Sequence, residues 1–335
     1  MTRTSPAIFY LLPFPALLFS LFVGPDGSVA PAEILQALRV KLAMGIPPPD
    51  GSLEMATEVL FNIRLPRICL DFLVGGALAA AGTALQAMVR NPLVSPDILG
   101  LSSGAAFGAA LALTVGRLPL QPTAFGFGLL AAILSYLVAV ERRGLSIVSL
   151  ILAGIIIGGI FTALLTMVQI VNDPFKLQTI VHWTMGNLHN ADWRKVRSAL
   201  PPISVGAAAL VGMRWRMNVL ALGDEETRAV GLNPEREKLL LLIPATLAAS
   251  AAVAVAGIIG MVGLTVPHMT RMLVGPDNSR VLPVSFVFGG TFLVLVDDLA
   301  RSITTFEVPV GIFTTLIGGP FFIYLLKHGG AGFGE

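Results

Sequence analysis

RLPRICLDFLVGGALAAAGTALQAMVRNPLVSPDILGLSSG, residues 64–104, holds the stretch that decides the fold. From Ile68 to Val89 the chain runs 22 residues with one acid, Asp71, near its start. About 20 apolar residues in a helix cross the hydrocarbon core of a bilayer. Asn91-Pro92-Leu93 ends the run, because proline lacks a helix donor and restricts the residue before it. A second apolar run, 97–115, follows at once. A water-soluble helix of such length would carry a polar stripe. These carry none, so lipid or other helices surround them.

The same pattern recurs outward in both directions. Further spans are expected at 7–24, 122–140, 146–171, 196–213, 238–257, 258–273, 281–300 and 308–326, about ten in all. The spans ending at 257 and starting at 258 run together, and their break is placed within GIIGMVG, Gly257 to Gly263. Spans 97–115 and 258–273 are short enough for a broken or re-entrant helix. The expected fold class is an all-α polytopic membrane protein, one transmembrane domain over residues 1–335.

Composition agrees. The chain is 55% hydrophobic and 13% charged, with a mean hydropathy of +0.81. Soluble domains are nearer 25% charged. The 35 glycines and 23 prolines are better tolerated in membrane helices than in soluble ones. A net charge of +2, without a basic run interleaved with aromatics, gives no footprint for nucleic acid. The single cysteine, Cys69, excludes an intramolecular disulfide and a cysteine cage for metal.

The first span, after Arg3, resembles a signal peptide, yet Val23-Gly24-Pro25-Asp26 offers no A-x-A cleavage site. It is read as a retained helix. Three hydrophilic segments separate the spans. Residues 25–60 are proline-rich (Ile46-Pro47-Pro48-Pro49), residues 172–195 hold Trp183, Trp193, His182 and His189, and residues 214–238 are densely charged. Tryptophan and histidine at a span end suit the membrane interface. With both termini in the cytoplasm, about 12 Lys and Arg fall inside against about 10 outside, Arg142, Arg143, Arg214 and Arg216 among the former. Gly100, Gly104 and Gly108, like Gly154 and Gly158, form small-residue faces for close helix packing.

Several chemistries are missing from the sequence. None of the five lysines follows a glycine, so no Walker A loop is present and ATP is not hydrolysed by that route. There is no H-E-x-x-H and no convincing G-x-S-x-G. His182, His189, His268 and His328 show no metal-ligand spacing. A secondary transporter needs ionisable groups at mid-depth. Here Asp71, Asp297, Asp298 and Arg301 lie near helix ends, which places the energy source on another subunit.

Residues 64–104 resemble the signature of the FecCD family of permeases. The likeness continues through Trp183-Thr-Met-Gly186 with Trp193, ALGDEETRAVGL (221–232), and GIIGMVGLTVPHMTRMLVGPDNSRVLP (257–283). It closes with Val296-Asp297 to Arg301 and EVPVGIFTTLIGGPFFIYLL (307–326). It covers nearly everything after residue 60, in order; Asp298 is an additional acid, and no family pattern is recognised before residue 60.

The resemblance implies a type II ABC importer permease fold of about ten helices, both termini cytoplasmic, in the cell inner membrane. The implied partners are a second permease copy (a homodimer), two cytoplasmic ATPases that carry ATP and Mg2+, and a periplasmic substrate-binding protein. The cargo it implies first is a ferric siderophore, with haem, cobalamin and molybdate as alternatives. It assigns Arg64, Arg67 and Arg301 to receive carboxylates of the docked binding protein, a task suited to the bidentate guanidinium fork. It makes the segment of about 219–236 the ATPase coupling element, with Leu222, Gly223, Glu225, Arg228, Gly231 and Leu232. It places a cytoplasmic gate at Asn91, Leu93, Ile147 and Val148.

The residues also have plainer readings. Arg67 has Asp71 one turn on to neutralise it, and Arg301 has Asp297 and Asp298 within reach along its helix. Glu225 to Val230 can form a short helix bracketed by Gly223 and Gly231, or a solvated connector. Pro267-His268 with Arg271 resembles a catalytic group out of context, but a lone histidine near a helix end is more often structural. The rivals are a stand-alone transporter and an intramembrane enzyme using His268 with Asp297 or Asp298.

Overall fold

The computed structural model describes residues 6–24, 29–41, 53–141, 144–303 and 307–328. Arg142, Arg143 and the proline run 46–49 lie outside the described residues. The described chain is helical apart from a two-residue antiparallel pairing of β1 (Val140–Glu141) with β2 (Gly144–Leu145).

In chain order the helices are α1 (Pro6–Leu11), α2 (Pro13–Phe22), α3 (Pro31–Lys41), α4 (Glu54–Glu58) and α5 (Leu65–Val89). Then come α6 (Leu101–Val115), α7 (Leu120–Ala139), α8 (Ile147–Val171), α9 (Pro174–Thr184) and α10 (Trp193–Leu222). The last five are α11 (Asp224–Ala229), α12 (Pro234–Ala256), α13 (Val262–Val274), α14 (Asn278–Ser302) and α15 (Val310–His328). Every expected span has a helix under it. Among the described residues six helices are long and apolar enough to cross a membrane, and Leu101–Val115, Val310–Tyr324 and the run Phe9–Phe22 across α1 and α2 are shorter apolar stretches.

Differences from the sequence expectation occur where polar sequence turns out helical. Span 7–24 is two helices, divided at Leu12 before Pro13, which cannot donate to the preceding turn. A π-helical turn, Val59–Arg64, joins α4 directly to α5, so the helix begins at Glu54, inside the expected hydrophilic segment. Residues 214–222, expected as loop, are the last turns of α10, where Arg216 pairs with Glu237 of α12. Residues 174–184, also expected as loop, form α9, capped by Asp173 with Pro174 in its first turn.

α5 is the centre. Of its most apolar window 83% is buried, and 78% of that in α12, against 28% in α8 and in α10. Its run Gly75 to Gly82 is all glycine and alanine apart from Leu78, which lets neighbours approach its backbone. At the crossing with α14, a Cβ on Gly289 would stand 2.6 Å from the Gly75 carbonyl oxygen. α8 instead exposes Leu152, Ile155, Ile156, Ile160, Met167 and Ile170. A face this apolar is a surface for lipid or another helix, not for water.

The break between α12 and α13 falls at Gly257–Met261, within the expected GIIGMVG. Gly257 has φ of +74°, a value that strains any residue with a Cβ. The Ala256 carbonyl there accepts from Asn187 N at 2.8 Å, and Gly186 O accepts from Gly311 N at 3.2 Å. Non-helical backbone at membrane depth persists where protein groups satisfy it.

Candidate functional site

α5 carries a candidate site at each end, about 37 Å apart at 1.5 Å per residue. Its first end gathers the three arginines that the sequence singled out. Arg67 donates Nε to Asp297 Oδ2 at 2.8 Å and Nη2 to Asp297 Oδ1 at 2.9 Å. Its remaining edge, Nη1, reaches both carboxylate oxygens of Glu307, at 2.9 and 3.0 Å. Arg301 pairs with Asp298 one turn back on α14, and its Nη2 also donates to Ser20 Oγ at 2.8 Å and to the Ser20 carbonyl at 3.1 Å. Arg64 Nη1 donates to the Leu21 carbonyl at 2.7 Å.

All three arginines are buried. The C-terminal end of α2 covers Arg64 and Arg301, while α14 and the segment before α15 hold Arg67. The pairing of Arg301 with its own helix is as expected. That of Arg67 is not: its partners are Asp297 and Glu307, and both Asp71 carboxyl oxygens lack a hydrogen-bond partner among the described residues. The close α5–α14 crossing at Gly75 and Gly289 brings Asp297 to Arg67 from across the interface, and that carboxylate takes the fork. Breaking a buried pair of this kind typically costs about 3–5 kcal/mol, since the remaining charge is stranded.

At the other end α5 stops at Val89, with Arg90 left-handed at φ 57°. Gln86 ties this end together: its Nε2 donates to the Val94 carbonyl at 3.1 Å and the Leu264 carbonyl at 3.2 Å, and its Oε1 accepts from Arg271. Beside it projects α11. Gly223 and Gly231 bracket α11 with positive φ, as the spacing suggested, and the helix runs Asp224–Ala229 instead of Glu225 to Val230. Leu222, Glu225, Arg228, Val230 and Gly231 are exposed and Leu232 partly so. Beneath them buried Thr227 donates to the Gly223 carbonyl at 2.5 Å, and Lys238 Nζ donates to Asp224 Oδ2 at 2.6 Å. The result is a short helix held from one side with its other side bare. Of the expected gate residues, Leu93 and Val148 are exposed, while Asn91 and Ile147 are half-buried.

A cavity of about 470 Å³ opens near the arginine end, lined by Gln121, Gln178, His182, Asn187, His189 and Lys195 among others. The two histidine rings meet edge to face at 4.9 Å. Burial lowers the His189 pKa below the ordinary value, and neighbouring His182 lowers it further. Asn187 Nδ2 lies 3.0 Å from His182 Nδ1 and donates to the His182 carbonyl at 2.9 Å. His268 stacks edge-on with Phe322 at 6.3 Å, while Asp297 and Asp298 are held by arginines.

Sequence reasoning missed Glu307, Ser20 and Gln86. Glu307 stands in the quoted stretch EVPVG as an acid directly before an apolar span, which is a readable signal. Ser20 and Gln86 gave none, because their partners lie 278 and 178 residues away.

The family model of the FecCD transport family matches residues 11–328. The cobalamin import system permease of Halobacterium salinarum is 40% identical over 329 residues, 97% of this chain and 82% of that protein. The molybdate import system permease of Haemophilus influenzae is 39% identical over 281 residues, 82% of this chain and 83% of that protein. A solved metal-chelate type ABC transporter in an inward-facing conformation superposes with a TM-score of 0.84 at 34% identity, over 96% of this chain and 99% of that one. The architecture is that of a type II ABC importer permease.

Proposed function

This chain belongs to the FecCD transport family of ABC importer permeases, and on that premise we propose that it carries a ferric siderophore, or another bulky metal chelate, from the periplasm to the cytoplasm. The observation that carries the reading is α11: a short helix, bracketed by glycines, bare on one side and braced on the other by Thr227 and Lys238. A separate ATPase seats on it through Leu222, Glu225, Arg228, Gly231 and Leu232, while Gly223, expected among them, is buried and sets the turn into α11. ATP and Mg2+ are bound there, on the partner, and this chain is not itself an enzyme.

The complex holds two copies of the chain, as a homodimer in the cell inner membrane, two ATPases and one periplasmic substrate-binding protein. The binding protein docks at the arginine end, around Arg64, Arg67 and Arg301. The gate to the cytoplasm lies at Asn91, Leu93, Ile147 and Val148, beside α11. The path runs between the two copies, its wall mainly apolar and gripping no particular cargo, so selectivity rests with the binding protein.

The test is uptake of an iron-55 siderophore into proteoliposomes holding the complete complex. Uptake that requires ATP, and falls at least about ten-fold in Leu222→Ala/Glu225→Ala while the complex stays folded, is expected. Charge reversal of Arg67 is a poor probe, since the new carboxylate would face Asp297 inside the protein. A second reading, cobalamin as cargo, is favoured by the 40% identity to the cobalamin permease. ATP-dependent uptake of cyanocobalamin without siderophore uptake would select it. ATP-independent transport by this chain alone would overturn the importer reading.

A further inference from the structure

The three buried arginines are satisfied in unequal ways. Arg64 and Arg301 are covered by backbone and hydroxyl groups of α2, and Arg301 also by Asp298 on its own helix. Arg67 is two-sided. Its inner edge is locked in a parallel pair of bonds to Asp297, whose side chain is wholly buried. Among the described residues its outer edge meets only Glu307, whose side chain is 31% exposed.

Glu307 also sits on a weaker support than Asp297. Residues 307–309 are not helical, and α15 starts at Val310. Asp297, by contrast, lies well inside α14 and cannot leave without disturbing that helix.

Charge decides what can happen next. Four carboxyl groups, Asp71, Asp297, Asp298 and Glu307, are gathered with three guanidinium groups, and three of the acids, Asp297, Asp298 and Glu307, are paired with Arg67 or Arg301. A further carboxylate reaching the Nη1 edge of Arg67 would meet Glu307 already seated there. Of the four, Glu307 alone is appreciably exposed.

We propose that Glu307 is a resident stand-in for a partner's carboxylate: the Nη1 edge of Arg67 is an exchangeable seat, and a glutamate or aspartate on an acidic face of the docking protein takes it by displacing Glu307. The partner named here rests on the docking reading given above; the exchange itself rests on the two-sided bonding of Arg67. Exchange keeps the charge count of the cluster unchanged and leaves its inner lock intact. It makes Glu307 a competitor that sets how tightly the partner holds.

The test has two arms, both on the full-length chain in its assembled complex. In the first, phenylglyoxal, an arginine-selective dicarbonyl, is applied without the binding protein and the peptides are read by mass spectrometry. Glu307→Gln is expected to raise modification of Arg67 at least about three-fold, with Arg64 and Arg301 unchanged. In the second, the affinity of the cognate substrate-binding protein is measured, and Glu307→Gln is expected to tighten it about three- to ten-fold by removing the competitor. Should that variant fail to fold, Glu307→Asp keeps the charge on a shorter arm and is expected to give smaller changes of the same sign in both arms. Normal binding with unchanged affinity, or unchanged Arg67 reactivity, overturns the exchange and leaves the docking reading standing. A binding protein that ignores the wild-type complex overturns the docking reading, and the partner assigned to the seat goes with it.

Discussion

The two ends of α5 are built on opposite plans. At the arginine end the three arginines are buried, their acids come from α14 and the segment before α15, and α2 covers Arg64 and Arg301 with backbone and hydroxyl groups. At the α11 end the charges are mainly at the surface: Arg216 is 42% exposed in its pair with Glu237, and Glu225 and Arg228 stand free of the helix bundle's interior. One end fixes the register of helices against each other. The other presents a small handle that can be pushed without unpacking the core. An importer needs both properties, and a single long buried helix separates them.

The largest effect should come from unlocking the arginine end. Asp297→Ala strips Arg67 of its buried partner, leaving it Glu307, and loosens Arg301, whose Nε lies 3.8 Å from the same carboxylate. We expect a loss of about 3–5 kcal/mol, read from thermal unfolding in detergent. The matching change at the other end, Glu237→Ala, should cost only about 1 kcal/mol, because its arginine can turn to water. Equal losses at both ends would break the comparison.

Next in size is the packing that makes the lock possible. Gly289→Ala puts a Cβ 2.5 Å from Ala79 Cβ and 2.6 Å from the Gly75 carbonyl oxygen. Overpacking of this kind costs about 1–3 kcal/mol. By forcing α14 away from α5 it should also lengthen the Arg67–Asp297 bonds, so Arg67 should become more reactive toward phenylglyoxal. Stability lost without a change in that reactivity would show that the crossing and the ion pair are independent.

The spans and the α11 handle were legible in the sequence because each is written locally. A run such as 146–171 needs only its own composition to declare a membrane helix, and Gly223 and Gly231 mark the limits of α11 by conformation alone. Even the unusual break at Gly257–Met261 was visible as a cluster of glycines. The arginine end was legible only in its cast. Arg64, Arg67 and Arg301 could be named, but the partners of Arg67 lie 230 and 240 residues along the chain, and helical spacing pointed to Asp71 instead. A pairing decided by which helix packs on which leaves no periodic trace. The end of α10 was lost for the related reason that a tertiary partner, Glu237, holds it, while α9 is set by its Asp173 cap and Pro174 and not by apolar length.

A smaller effect tests whether α11 is braced as described. Thr227→Val keeps the shape of the buried side chain and removes its hydroxyl, which donates to Gly223 at 2.5 Å. The cost should be about 1 kcal/mol, confined to the handle. Amide exchange at 224–229 should quicken about five-fold while α5 is unaffected. Quickening that spreads into α5 would mean that the handle belongs to the core after all.

The smallest effect is a pH dependence at the arginine end. His189 lies between α9 and α10, and burial, then His182, lower its pKa, with Arg67 and Lys195 acting in the same direction and Glu307 against them. In the unfolded chain the ring titrates near its ordinary value, about 6.5. The folded protein therefore resists a proton that the unfolded chain accepts, so stability is full above that value and falls as pH drops through it. Because the ring is only half-buried, solvent screens much of the difference. Thermal unfolding followed from pH 7.5 to about 5.5 should show a shallower acid-side decline in His189→Gln than in the wild type. The segment 214–238 contains no histidine, so none of the difference should appear in amide exchange at 224–229. A decline of equal slope in both proteins would place the acid sensitivity elsewhere.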